Sequence, residues 1–182
     1  MTVTSKNDQC LAVGSCEPAF RSRLVESLLE TPPNGVAADS DRPRSLRVAI
    51  ADDCTDGANI MAMLVRLWGY EAEVAYGGAE ALHMIMAYDP DVVVLDIGMP
   101  MVTGWTVARQ LRRLPRFEHT LLIAITGHAD EVHRRTSLAA GFDYFFAKPC
   151  EPQDLKNALL LFHQVRLGSR WGDGSSLALA DS

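Results

Sequence analysis

Apolar residues along this chain recur in two alternating rhythms. Short continuous runs at 46–51 (LRVAIA), 92–95 (VVVL), 121–125 (LLIAI) and 144–147 (YFFA) are separated by longer stretches in which apolar positions return at helical spacing. Runs of this length, rich in β-branched residues and leucine, read as strands buried on both faces. A further segment, 71–76, alternates polar and apolar residues as an edge strand does. The intervening pattern predicts helices over 56–68, 78–88, 105–113 and 129–140, and a last one from about Pro152, a residue suited to a first helical turn. In the first helix Ala58, Met61, Leu64, Val65 and Trp68 form the expected inward stripe, and Gly69 stands where a helix stop belongs. Five βα repeats joined by right-handed crossovers imply an α/β fold: a five-stranded, parallel, doubly wound sheet with helices on both faces.

The ends of the chain read differently. Residues 1–44 mix Ser, Pro, Gly, Asp and Arg and are expected to form a flexible arm. Within it, 18–30 places Leu24, Val25, Leu28 and Leu29 on one side, enough for a short helix that is marginal alone in water. Residues 168–182 are rich in Gly and Ser and are expected to be disordered, leaving 45–167 as the folded domain.

Polar residues matter most where the strands stop. Asp52-Asp53, Asp96, Thr126 and Lys148-Pro149 each close an apolar run, and open α/β sheets bind their ligands at the carboxyl ends of their strands. Two adjacent carboxylates repel unless a cation sits beside them. Mg²⁺ suits such a place, because it takes oxygen ligands and typically uses one or two carboxylates. A carboxylate such as Asp96 is also a recognised nucleophile toward phosphoryl groups. Lys148 offers a point charge and Thr126 a hydroxyl for the phosphoryl oxygens, and positioning with charge neutralisation is most of what phosphoryl transfer requires. Taken singly, each residue has an ordinary explanation, as a cap, a turn or a β-former. Four such residues at successive strand ends point to one site.

Composition narrows the classes. A formal net charge of −6 over 182 residues leaves no basic stripe for nucleic acid. Arg112, Arg113 and Arg116, and the pair Arg134-Arg135, read as solvated helix faces or loop ends. No run approaches the length of a membrane span, and no leader-like segment opens the chain, so a cytoplasmic location is expected. The four cysteines form no CxxC pair, and Cys54 and Cys150 read as loop or cap thiols. The five histidines are scattered without zinc-site spacing.

The segments VAIADDCTD (48–56), VVVLDIGMPMVTGW (92–105), LLIAITGHA (121–129) and GFDYFFAKP (141–149) carry a resemblance. In letters and mutual spacing, residues 46–165 resemble the receiver domain of two-component response regulators. That resemblance implies a flavodoxin-like sheet of order 2-1-3-4-5. It makes Asp96 the phosphoacceptor and Asp53 the principal Mg²⁺ ligand, with Asp52 orienting metal-bound water and the Gly98 carbonyl as a further ligand. Thr126 corresponds to the switch hydroxyl, Lys148 to the phosphate-sensing lysine and Phe145 to the switch aromatic, with a cis bond before Pro149. Gly98 and His128 fall at positions that tune hydrolysis in relatives. Cys54 and the run Val102-Thr103-Gly104 depart from the family pattern and bear on loop packing.

The implied function is a phosphorylation-dependent switch that accepts a phosphoryl group from a histidine kinase or phosphotransfer protein. It is a phosphoacceptor, not a turnover enzyme. Its partner is expected on the first helix, where Met63 and Leu67 lie outside the core stripe. Output is expected through a protein effector or a homodimer formed by the fourth helix, fifth strand and fifth helix, since too few residues follow for an output domain. The alternative is a pseudo-receiver that binds partners without being phosphorylated. A dehalogenase-type phosphohydrolase needs a second Asp two residues after the nucleophile, where this chain has Gly98.

Overall fold

The apolar runs become strands because their residues must be buried on two sides at once. In the computed structural model, which describes residues 45–168, the elements are β1 (Arg47–Ala51), α1 (Thr55–Leu67), β2 (Glu71–Ala75), α2 (Gly78–Tyr88), β3 (Val92–Asp96), α3 (Gly104–Leu111), a 3₁₀ turn (Pro115–Phe117), β4 (Leu121–Thr126), α4 (Glu131–Ala140), β5 (Tyr144–Ala147) and α5 (Pro152–Gly168). The arm at 1–44 and the tail after α5 lie outside the described residues.

The strands form one parallel sheet in the order β2-β1-β3-β4-β5. Alternate side chains divide it into two core layers, as the two-residue strand period requires. Val48, Ile50, Val92, Val94, Ile123 and Tyr144 face α1 and α5, meeting Ala58, Ala62, Val65, Leu159 and Phe162. Ala49, Ala51, Val93, Leu95, Leu122 and Ala124 face the other way, onto Ile85 of α2, Val107 and Leu111 of α3, and Phe117 and Phe142. The expected inward stripe of α1 needs one change: Ala62 is fully buried, while Met61, Leu64 and Trp68 are half-buried at its margins.

Helix ends follow local chemistry. Thr103 caps α3, its hydroxyl accepting from the Thr106 N–H, and Asp130 caps α4 by accepting from the His133 N–H. Helix α3 therefore starts at Gly104, and α4 starts two residues later than the apolar pattern predicts. Gly104 has a packing reason. A Cβ there would stand 2.4 Å from the Asp96 carbonyl oxygen, so only glycine lets α3 start this close to the end of β3.

One expectation is overturned. Arg112 is not a solvated face. Its guanidinium donates to the carbonyls of Phe117 at 2.9 Å, Thr120 at 2.8 Å and Gly141 at 2.9 Å, and to Asp143 Oδ2 at 2.6 Å. Asp143 Oδ2 also accepts from the Leu122 N–H. The fork of Arg112 thus ties the end of α3 to the turns before β4 and β5, satisfying carbonyls that would otherwise lose water.

Candidate phosphoacceptor and metal site

Strand register assembles the site. Ala51 pairs with Leu95, so Asp52 and Asp96 emerge side by side; Thr126 pairs with Ala147, so Lys148 emerges one residue beyond Thr126. Oxygen atoms of Asp52, Asp53 and Asp96 all lie within 4.8 Å of one another, with Asp52 and Asp96 buried and Asp53 exposed. Two sheltered carboxylates and one open to solvent make an oxygen-only donor set. That set fits a hard divalent cation such as Mg²⁺, which would offset their mutual repulsion.

Lys148 already offsets part of it. Its Nζ donates to Asp52 Oδ2 at 2.8 Å and lies 3.3 Å from Asp96 Oδ2. Burial alone would lower the Lys148 pKa, but hydrogen bonds and charge from Asp52 and Asp96 outweigh it and hold the ammonium above its usual value. For Asp96 the balance runs the other way. Burial lifts its carboxyl above the ordinary range, with the Asp52 charge adding to the rise, against the Gly98 N–H bond and Lys148.

The loops hold these side chains by short backbone bonds. Asp52 Oδ1 accepts from the Cys54 N–H at 2.9 Å, and Asp96 Oδ1 accepts from the Gly98 N–H at 3.2 Å. A Cβ at Gly98 would lie 3.6 Å from the Asp96 carboxylate, in ordinary van der Waals contact, so a side chain at this position borders the acid. The Lys148–Pro149 bond is cis, and the Lys148 N–H donates to the Thr126 carbonyl at 2.7 Å. Thr126 is buried, and its hydroxyl accepts from the His128 N–H at 3.1 Å. Phe145 is half-buried against the layer that contains α3. Both site-flanking thiols behave as loop groups: Cys54 precedes α1 without capping it through its side chain, and burial pushes the Cys150 thiol up to about 11.

The structure also groups residues that looked scattered. The His128 ring stacks on His133 at 5.4 Å, and the His133 ring lies 5.5 Å from Trp105 of α3, tilted by 31°. Trp105 Nε1 donates to Ser137 of α4. A chain of rings therefore runs from the loop that bonds Thr126 to two helices. No sequence period links these positions, because they come from three separate elements. On α1, Ile60 joins the expected Met63 and Leu67 as an exposed apolar stripe at i, i+3 and i+7, a spacing that helical periodicity makes readable.

With this geometry in view, known proteins align closely. The family model described as response regulator receiver domain matches residues 48–160. The transcriptional regulatory protein TrcR of Mycobacterium tuberculosis is 33% identical over 110 residues, covering 60% of this chain and 42% of TrcR. A putative response regulator from Chloroflexus aurantiacus superposes with a TM-score of 0.62 at 27% identity, covering 66% of this chain and 99% of that one. The receiver domain of a sensor histidine kinase from Pseudomonas aeruginosa PAO1, solved with a magnesium ion in its active site cleft, shares the fold at a TM-score of 0.61 and 21% identity, covering 66% of this chain and 99% of its own. The chain thus spans under half the length of TrcR. With its sheet order, its strand-end acids and this match over most of the described residues, the chain belongs to the response regulator receiver domain family.

Proposed function

We infer that this chain is a phosphorylation switch whose acceptor is Asp96. The observation that carries the reading is the Lys148 ammonium set against both Asp52 and Asp96 inside a three-carboxylate cluster. In the proposed transfer, an Asp96 Oδ attacks the phosphorus of a phosphohistidine donor. The new P–O bond forms as the P–N bond breaks, and the electron pair leaves on the imidazole, which takes up a proton. Asp53, Asp96 and the Gly98 carbonyl would hold Mg²⁺, with Asp52 orienting its water. When bound, the ion supplies positive charge against the phosphoryl oxygens. Lys148 has two acid partners in this state and can exchange one of them for a phosphoryl oxygen. The Thr126 hydroxyl can rotate from its His128 bond to donate to another.

Signalling would then be a population shift. Movement of Thr126 toward the phosphoryl group vacates space that Phe145 fills, remodelling the face of α4, β5 and α5, where an effector or a second copy binds. As a phenylalanine, Phe145 can turn inward without burying a hydroxyl. The histidine phosphodonor would dock on α1, over Ile60, Met63 and Leu67. No helix among the described residues is long and apolar enough to cross a membrane, and we place the protein in the cytoplasm with such a donor.

Intact mass after incubation with acetyl phosphate tests the reading. With Mg²⁺ the chain should gain one phosphoryl group; without Mg²⁺, or in Asp96→Asn, it should gain none. If neither acetyl phosphate nor a panel of histidine kinases phosphorylates the wild type, the chain is a pseudo-receiver.

A further inference from the structure

The exposed stripe of α1 has a candidate occupant within the same chain. Ile60, Met63 and Leu67 are 56%, 55% and 73% exposed, an unusual apolar line on an otherwise polar helix face. The chain enters the described fold beside one end of that line: the Ser45 hydroxyl donates at 2.9 Å to the Gly69 carbonyl, just after α1. Forty-four residues precede Ser45, and they contain one amphipathic stretch, 18–30, with Leu24, Val25, Leu28 and Leu29 on one side. Residues 31–44 can span about 45 Å when extended, far more than the two turns from Leu67 to Ile60 require. A segment of this length is marginal as a free helix and gains stability by burying its apolar side.

Charge selects the direction. The first turn of α1 carries Asp56 and the last turn Arg66. The segment 18–30 begins basic, with Arg21 and Arg23, and ends acidic, with Glu26 and Glu30. Only a parallel arrangement sets Arg21 and Arg23 toward Asp56 and Glu30 toward Arg66. The same arrangement brings Leu28 and Leu29 toward Leu67, nearest the point of entry.

We propose that residues 18–30 seat parallel to α1 on its Ile60–Met63–Leu67 face in the same chain. The face is then covered before any partner arrives.

Photocrosslinking of the full chain tests this without any phosphoryl transfer. Met63→p-benzoylphenylalanine leaves the core untouched, because Met63 is solvent-facing. Irradiation at low protein concentration should join position 63 to the peptide containing Leu24 to Leu29, within a single chain. Leu67→p-benzoylphenylalanine should label nearer Leu28, and Ile60→p-benzoylphenylalanine nearer Arg21. Leu24→Asp with Leu28→Asp should cut the Met63 yield at least fivefold. A covalent dimer would overturn the proposal in favour of a second copy. A yield at 18–30 no higher than at other arm residues would also overturn it. Failure of phosphorylation would leave the crosslinks unchanged, so the two readings fail separately.

Discussion

The two edges of the sheet each hold buried charge, and they hold it differently. At the amino edge, Arg112 and Asp143 are paired: the guanidinium donates to the carbonyls of Phe117, Thr120 and Gly141 and to the carboxylate, and Asp143 also bonds the β4 backbone. Nearby, Asp91 accepts from the Arg47 N–H and from Arg166, tying β1, β3 and α5 together. At the carboxyl edge three carboxylates cluster, and Lys148 pairs with two of them, Asp52 and Asp96. Charge that is matched and fully bonded serves to hold elements in place. Charge left in excess, in a place water only partly reaches, is open to a cation and a phosphoryl group. The surplus marks the site more clearly than the burial does.

The contrast can be broken most severely at the amino edge. Arg112→Ala would strand Asp143 and three carbonyls, and should cost about 3–5 kcal/mol, read as a shift of the urea midpoint. At temperatures where the variant is folded it should still accept a phosphoryl group. Loss of acceptance there would show that the two edges are not separable.

At the carboxyl edge the largest expected effect is a gain. Mg²⁺ at ten times its dissociation constant should stabilise the wild type by about 1.4 kcal/mol, seen as a rise in Tm that chelation reverses. Asp53→Ala should abolish the rise while leaving the metal-free Tm nearly unchanged. A metal response that survives in Asp53→Ala would sink the assignment of that residue as a ligand.

Backbone conformation sharpens the comparison further. Asp89, at the end of α2, and Met101, in the β3–α3 loop, both have positive φ, 52° and 62°. Asp89 suits the left-handed region, and its side chain faces Arg47. Met101 has no such compensation and is 98% exposed. Met101→Asn should therefore stabilise the chain by roughly 0.5–1 kcal/mol, measurable by denaturation, whereas Asp89→Asn should change little.

The smallest effect is confined to acid. The His133 backbone N–H, and then its ring, hold the Asp130 carboxyl below the ordinary carboxylate range. A depressed pKa contributes stability above the unfolded-state value, which is lost as pH falls through the folded-state value. The stability difference between wild type and Asp130→Ala should be flat from about pH 6 to about pH 5 and shrink below that. A difference that instead grows on acidification would mean that the bond to His133 is not formed in solution.

Much of this molecule is legible one segment at a time. The apolar runs at β1, β3 and β4 can be satisfied only by burial on both faces, which demands helices on each side and hence the doubly wound sheet. The same runs end at Asp52, Asp96 and Thr126, so the position of the site follows from where the runs stop. Local rules also place Gly69 and Gly141 after their helices. They fail where contacts cross between elements. Arg112 reads as a solvated residue because nothing near it in sequence announces the carbonyls of Phe117, Thr120 and Gly141. His128, His133 and Trp105 read as unrelated because ring contact across α3, α4 and a loop leaves no period. Thr103 looks like a departure from a pattern until its hydroxyl is seen capping α3. Burial and periodicity are properties of a short stretch of chain and can be read from it. Which charge is matched, and which is left over at the carboxyl edge, depends on strand register and loop closure, and those are settled only when the distant segments meet.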